Sequence, residues 1–155
     1  MTSKTFNDFK LKPYLVKAVT AINFHEPTAV QERVIPDILA GKSVVGQSAT
    51  GSGKTHAFLL PLFSRIDPAV QEVQAAITTP SRELAYQIYN AAKQLNQFAD
   101  QPLTIHNYVG GTDKQHQIAQ LERKQPQLVI GTPGRVLDLI KSQHLDVHTA
   151  TMFVV

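Results

Sequence analysis

Residues 48–55 read Ser-Ala-Thr-Gly-Ser-Gly-Lys-Thr. Glycines at 51 and 53 let the backbone take positive φ and turn successive N–H groups inward around an anion. A helix that begins just after them adds the partial positive charge of its N-terminus. Lys54 then has the reach for the β- and γ-phosphates of a nucleotide, and the Thr55 hydroxyl can ligate Mg²⁺. Ser48 stands where the strict phosphate-loop pattern has glycine. Read without chemistry, the stretch is a glycine-rich turn between a strand and a helix, with an exposed lysine. The strand–loop–helix setting favours a cradle for a nucleoside triphosphate.

A second candidate is Pro27-Thr28-Ala29-Val30-Gln31. Thr28 and Gln31 have the spacing of a capping box, in which each side chain serves the other's backbone N–H. The Gln31 amide also offers one acceptor and two donors on a single plane. Adenine presents a donor at N6 beside an acceptor at N7, so a glutamine can pair with that edge twice. Guanine has acceptors at both places, so such a pairing selects ATP over GTP. His144 and His148 have helical metal-ligand spacing, but without a cysteine or a third ligand nearby the sequence favours no metal there.

The elements that must hold these groups alternate. Short β-branched or apolar runs at Ser43–Gly46, Ala75–Thr79, Thr104–Val109, Leu128–Ile130 and Met152–Val155 predict strands. Helical patterns fall between them, at His56–Ile66, Arg82–Phe98, Lys114–Lys124 and Arg135–Ser142. Two further helices, Tyr14–Ile22 and Ala29–Leu39, precede the first strand, with Pro13 and Pro36 expected to punctuate them. This order predicts an α/β fold with a mostly parallel sheet and helices on both faces. Phe58, Leu59, Leu62 and Phe63 lie at helical spacing behind the glycine loop and are expected in the core. The glutamines between Gln94 and Gln127 read as solvated helix faces, and Arg123-Lys124 as the cationic end of a helix.

The chain has 155 residues, enough for one domain with a sizeable core. It is 43% hydrophobic and 17% charged, with a net charge of +3, so a polyanionic partner is permitted but not demanded. There are no cysteines, which excludes disulfides and thiolate chemistry. The N-terminus lacks a signal-peptide core and no apolar run spans a membrane, so a cytoplasmic location is expected.

Taken together, Phe6, Phe24…Pro27-Thr28…Gln31, Ala49–Thr55, Pro80–Ala85 (PSRELA), Gly110-Gly111 and Thr132–Arg135 (TPGR) have the order and spacing of one family. Over essentially its whole length the chain resembles the first, RecA-like domain of DEAD-box RNA helicases. It departs from the usual pattern at Asn23 for glycine, Ser48 for alanine, Ala49 for glutamine and Ser81 for threonine. Asn23 tolerates left-handed backbone and Ser81 keeps the hydroxyl.

The resemblance implies a RecA-like ATP-binding domain over residues 1–155 with a Q-motif region at 4–32. ATP and Mg²⁺ are the implied cofactors, held by Phe6, Phe24, Thr28, Gln31, Ser48, Ala49, Thr50, Gly51, Ser52, Gly53, Lys54 and Thr55. Phe6 would pack on adenine, although it also reads as an N-terminal anchor on the core. The implied partner is single-stranded RNA, held by its backbone at Pro80, Ser81, Arg82, Gly110, Gly111, Thr132, Pro133, Gly134 and Arg135. These residues suit phosphate and sugar, with guanidinium forks, hydroxyls and close backbone approach. They also have local roles, Ser81 and Thr132 as helix caps and Pro133 as the first helical residue.

Water attack on ATP further needs an acidic residue at the end of a neighbouring strand. Asp37, Asp67 and Asp138 fall on helices or turns, and Asp113 lies beyond the Gly110-Gly111 turn. The family's acidic motif would follow Val155, and its second RecA-like domain, with an arginine finger, would lie beyond that. A small-molecule kinase or a non-enzymatic nucleotide- or RNA-binding module are the alternatives that the residues leave open.

Overall fold

A computed structural model of the chain describes residues 4–49, 51 and 53–155. The chain forms two compact units, one from Met1–Arg65 with Gln94–Asp100, the other from Ile66–Lys93 with Gln101–Val155.

The first unit is helical. A single 3-10 turn at Phe6–Asp8, absent from the sequence expectation, is followed by α1 (Pro13–Ala21), α2 (Ala29–Leu39) and α3 (Lys54–Arg65). Pro13 is the first residue of α1, where its missing N–H costs nothing. Asn23 takes φ 68°, the left-handed geometry its side chain tolerates. Pro36 does not end α2 but lies inside it, and Ala40 N still donates to Pro36 O at 3.1 Å. Only one i to i−4 bond is forfeited there; Ile35 is fully buried, and α2 packs on α3. In α3, Leu59, Leu62 and Phe63 are buried as expected, while Phe58 is half-buried.

The second unit holds a four-stranded sheet in the order β2-β3-β1-β4, with every pair parallel. The strands are β1 (Ala75–Thr78), β2 (Ile105–Tyr108), β3 (Leu128–Gly131) and β4 (Met152–Val154). Between them run α4 (Arg82–Asn96), α5 (Lys114–Arg123) and α6 (Pro133–Lys141). One face of the sheet presents Ala76, Tyr108 and Val129 to Leu121 of α5 and to Val136 and Leu139 of α6. Alternation turns Ala75, Ile77, Ile105, Leu128 and Ile130 to the other face, and all are buried. Helix α4 contributes Ala85, Ile88 and Ala92, buried outside the first cluster.

Two expectations fail. Ser43–Gly46 is not a strand: residues 42–49 carry no regular structure, and Val45 is 99% exposed. Its β-branched composition suits a strand, but a strand exists only through a ladder, and no described residue pairs with this segment. The glutamines are not all solvated either. Gln127 is 1% exposed and fully bonded, accepting from Thr104 N at 2.9 Å and donating to Pro68 O and Val70 O.

Candidate nucleotide and nucleic-acid sites

The glycine loop and the capping box meet in the first unit. Thr28 Oγ1 accepts from Gln31 N at 3.3 Å, and Gln31 Oε1 accepts from Thr28 N at 3.0 Å, so the capping box is formed. Gln31 does more than cap. At 2% exposure its Nε2 donates to the carbonyl of Gly53 at 3.1 Å, which joins α2 to the loop. Each amide atom keeps one further hydrogen or lone pair beyond these bonds.

Gly51 and Gly53 take φ of 81° and 90°. A Cβ at Gly51 would meet open space, so its requirement is conformational. At Gly53 a Cβ would stand 2.6 Å from Gln31 Nε2, so the close approach of α2 also demands glycine there. Lys54 opens α3 and bends back to donate from Nζ to Ser48 O at 2.7 Å, bridging the ends of the loop. Thr55 follows in the first turn, half-buried. A glycine turn, a lysine and a helix N-terminus are the donors a polyphosphate needs, so the residues present fit ATP. Ser48 is half-buried and Ala49 exposed, whereas Thr50 and Ser52 lie outside the described residues.

Behind the loop, the half-buried Phe24 ring meets His56 edge-on, with centroids 4.8 Å apart. His56 Nε2 is buried with no hydrogen-bond partner among the described residues, and burial holds its pKa below the usual 6.5, so the ring is neutral. Phe6 is 3% exposed and meets Phe9 edge-on at 6.2 Å, the arrangement of an anchor.

The remaining predicted residues lie in the second unit, at the carboxyl ends of three adjacent parallel strands. Pro80–Arg82 follow β1, Gly110-Gly111 follow β2 and Thr132–Arg135 follow β3. The register aligns these ends, with Gly131 opposite both Thr78 and Tyr108. Crevices outside such strand ends are where open parallel sheets bind ligands. Gly131 is locked there, because a Cβ would drive into the Tyr108 carbonyl.

Bonds between the three segments hold the surface together. Thr132 is the N-cap residue of α6, yet its hydroxyl does not cap; it accepts from Gly110 N at 3.1 Å. Ser81 Oγ does cap, accepting from Leu84 N at 3.2 Å. Gly111 takes φ 84°, and a Cβ there would lie 2.7 Å from Arg82 Nη2, so this exposed guanidinium rests against the glycine. Arg135 Nη1 donates to Thr112 O at 3.1 Å and to Gln117 Oε1 at 2.7 Å. Pro80, Pro133 and Gly134 are exposed.

Gln117 is the residue the sequence reading missed. It is 6% exposed, and its Nε2 also donates to Thr112 Oγ1 at 2.8 Å. Its one local signal is its position on the helix turn after Asp113. That aspartate is itself a helix cap, accepting from Gln115 N and His116 N. The other acids considered for metal chemistry have local partners: Asp37 meets Lys42 at 3.8 Å, Asp138 meets Lys114 at 2.8 Å, and Asp67 accepts from Ala69 N.

The family model described as DEAD/DEAH box helicase matches residues 28–155. The chain belongs to that family. Among its relatives, the DEAD-box ATP-dependent RNA helicase CshB of Bacillus subtilis is 49% identical over all of this chain and 35% of its own length. CshB of Listeria monocytogenes is 47% identical, again over the whole chain and 36% of its own length. The chain thus spans about a third of the curated relatives it matches. Among solved structures, a DEAD box protein from Methanococcus jannaschii superposes with a TM-score of 0.88 at 35% identity, over 96% of this chain and 40% of that one. S. cerevisiae Dbp5, bound to RNA and ADP BeF3, gives 0.85 at 32% identity, over 97% of this chain and 37% of its own. The stretch matched in the helicases is their N-terminal RecA-like domain, which is the α/β fold expected.

Proposed function

We propose that residues 1–155 are the N-terminal RecA-like domain of a cytoplasmic ATP-dependent RNA helicase, with its Q-motif region at 4–32. The observation that carries this reading is the bond from Gln31 Nε2 to Gly53 O, which ties an adenine-reading amide to the loop built for phosphate. The names of the relatives support the activity, and the Dbp5 complex supports the two ligands.

In this reading the loop from Ser48 to Thr55 orients the triphosphate, Lys54 exchanging the Ser48 carbonyl for phosphate oxygens. Thr55 would ligate Mg²⁺, and Gln31 would present its remaining donor and acceptor to adenine. Phe6 and Phe24 would supply the apolar flank. When bound, MgATP supplies the free energy of phosphoryl transfer to water. Arg82 and the N-terminus of α6, from Thr132 to Arg135, hold the RNA backbone, with Gly110 and Gly111 allowing close approach. Such contacts bind unrelated sequences alike and weaken with salt. A second RecA-like domain, as in the longer relatives, would complete the duplex-separating machine.

The test pairs two titrations of this chain. Fluorescent ADP should be displaced by ATP and not by GTP. Arg82→Ala should weaken unrelated RNAs alike and make the slope of affinity against salt shallower by about one unit. Equal competition by GTP, or unchanged RNA affinity, would overturn the reading.

A further inference from the structure

A cavity of about 230 Å³ lies between α4 and α5 over the outer edge of β2, lined by Tyr86, Tyr89, Asn107, Asp113, His116 and Gln120 among others. Nothing in the nucleotide or backbone-binding reading uses it. Its floor contains an anomaly: Oδ1 and Nδ2 of Asn107 are both buried and make no hydrogen bond to any described residue. The unit's other buried amides, those of Gln117 and Gln127, are engaged on both atoms. A buried, unpaired amide is costly, so a donor and an acceptor side by side call for a ligand that offers the complement.

The walls narrow the class of ligand. Tyr86 is 46% exposed, and Tyr89 lies one turn on along α4, so two aromatic rings stand on one helix face. The Lys93 ammonium lies 5.3 Å from the Tyr89 ring, which leaves Tyr86 the more open stacking surface. No lysine or arginine is among the described residues that line the cavity, whereas the Asp113 carboxylate is. That lining repels a phosphate and suits a neutral, planar group with an amide-like edge. Every nucleobase carries such an edge, with a ring N–H or amino group beside an acceptor.

Position supplies the rest. Thr112 and Gln117 line this cavity and also hold Arg135. Arg82 stands four residues before Tyr86 on α4, hence on the same helix face. A strand whose phosphates rest on Arg82 and Arg135 therefore passes the mouth of the cavity.

We propose that this cavity takes one unstacked base of the bound RNA, with Asn107 pairing to its edge and Tyr86 stacking on its face. The inference rests on the RNA reading above. It gives an otherwise backbone-directed surface one point of base contact, tolerant of sequence because either an amino–acceptor or an imino–carbonyl edge satisfies the asparagine.

Binding of this chain to end-labelled uridine oligomers, and to oligomers of abasic ribose phosphate of equal length, tests it. The chain should hold the uridine oligomer roughly tenfold more tightly than the abasic one, the scale of one base stacked on an aromatic side chain. Asn107→Leu and Tyr86→Ala should each close that gap by weakening the uridine oligomer alone, whereas Arg82→Ala should weaken both. The side-chain NH₂ resonance of Asn107 should move with the uridine oligomer and stay still with the abasic one. Asn107→Leu should melt no lower than the parent, which separates a binding loss from a folding loss. Equal affinity for the two oligomers would remove the base site and leave the backbone reading standing. Binding of neither would remove both.

Discussion

Arg135 donates from Nη1 to Gln117 Oε1 at 2.7 Å, a bond between two helices that follow different strands. The same nitrogen reaches Thr112 O, so α5, α6 and the loop after β2 are pinned through one guanidinium. A residue chosen by family motif as a phosphate ligand is thus also a brace, and Gln117 decides how it points.

Gln117→Leu should therefore cost about 1–3 kcal/mol, because it strands a half-buried charged donor. The double variant Gln117→Leu/Arg135→Leu should recover part of that loss, since the charged donor is removed together with the acceptor it faced. Urea melts of the two single variants and the double close the cycle; strict additivity would show that the bond does nothing.

Thr28 and Gln31 can be separated. Thr28→Val removes the cap acceptor but leaves the bond from Gln31 to Gly53, and should lower stability by about 1 kcal/mol with nucleotide affinity little changed. Gln31→Ala should lose a comparable amount of stability and, in addition, weaken ATP and ADP. A thermal melt run beside a nucleotide titration reads both effects, and an unchanged affinity in Gln31→Ala would end the adenine assignment.

Two glycines three residues apart should respond in opposite directions. At Gly131 a Cβ collides with the Tyr108 carbonyl and stands 2.8 Å from Val136 Cγ2, so Gly131→Ala should cost about 1–3 kcal/mol. At Gly134 a Cβ meets nothing within 4 Å, and alanine in α6 should be neutral or stabilising by up to about 1 kcal/mol. Circular-dichroism melts compare them directly. Gly134→Ala also shows whether RNA needs that position bare.

Acid should destabilise the chain. Burial holds His56 below 6.5, and burial with the nearby charge of Lys124 does the same for His106. As pH falls through 6.5 the unfolded chain takes up protons that the folded chain refuses, so stability is present above that pH and declines below it. His148, raised by its exposed Asp146 partner, acts in the opposite sense but is screened by solvent. Urea midpoints at pH 7.5 and about pH 5.5 should differ, and His56→Asn should shrink the difference. A midpoint that stays flat across this range would refute the assignment.

The parts legible in the sequence are those whose cause lies within a few residues. Thr28 and Gln31 are a capping box by spacing, and the box forms. Ser81 caps α4, Pro133 opens α6, and β1, β2, β3 and β4 follow their apolar runs with ends shifted by a residue or two. Motif order alone also led to the family, because the glycine, lysine and hydroxyl positions of the loop stand at fixed spacings within eight residues.

Tertiary structure decided whatever needs a partner far along the chain. Ser43–Gly46 has a strand's composition and no ladder with any described residue, since pairing is a property of two segments. Gln117 and Gln127 look like their solvated neighbours until Arg135 in one case, and Pro68, Val70 and Thr104 in the other, supply the hydrogen bonds that make burial affordable. Gln31 shows both levels in one side chain. Its bond to Thr28 follows from local helix geometry, whereas its bond to Gly53, 22 residues on, exists only because α2 packs on the start of α3.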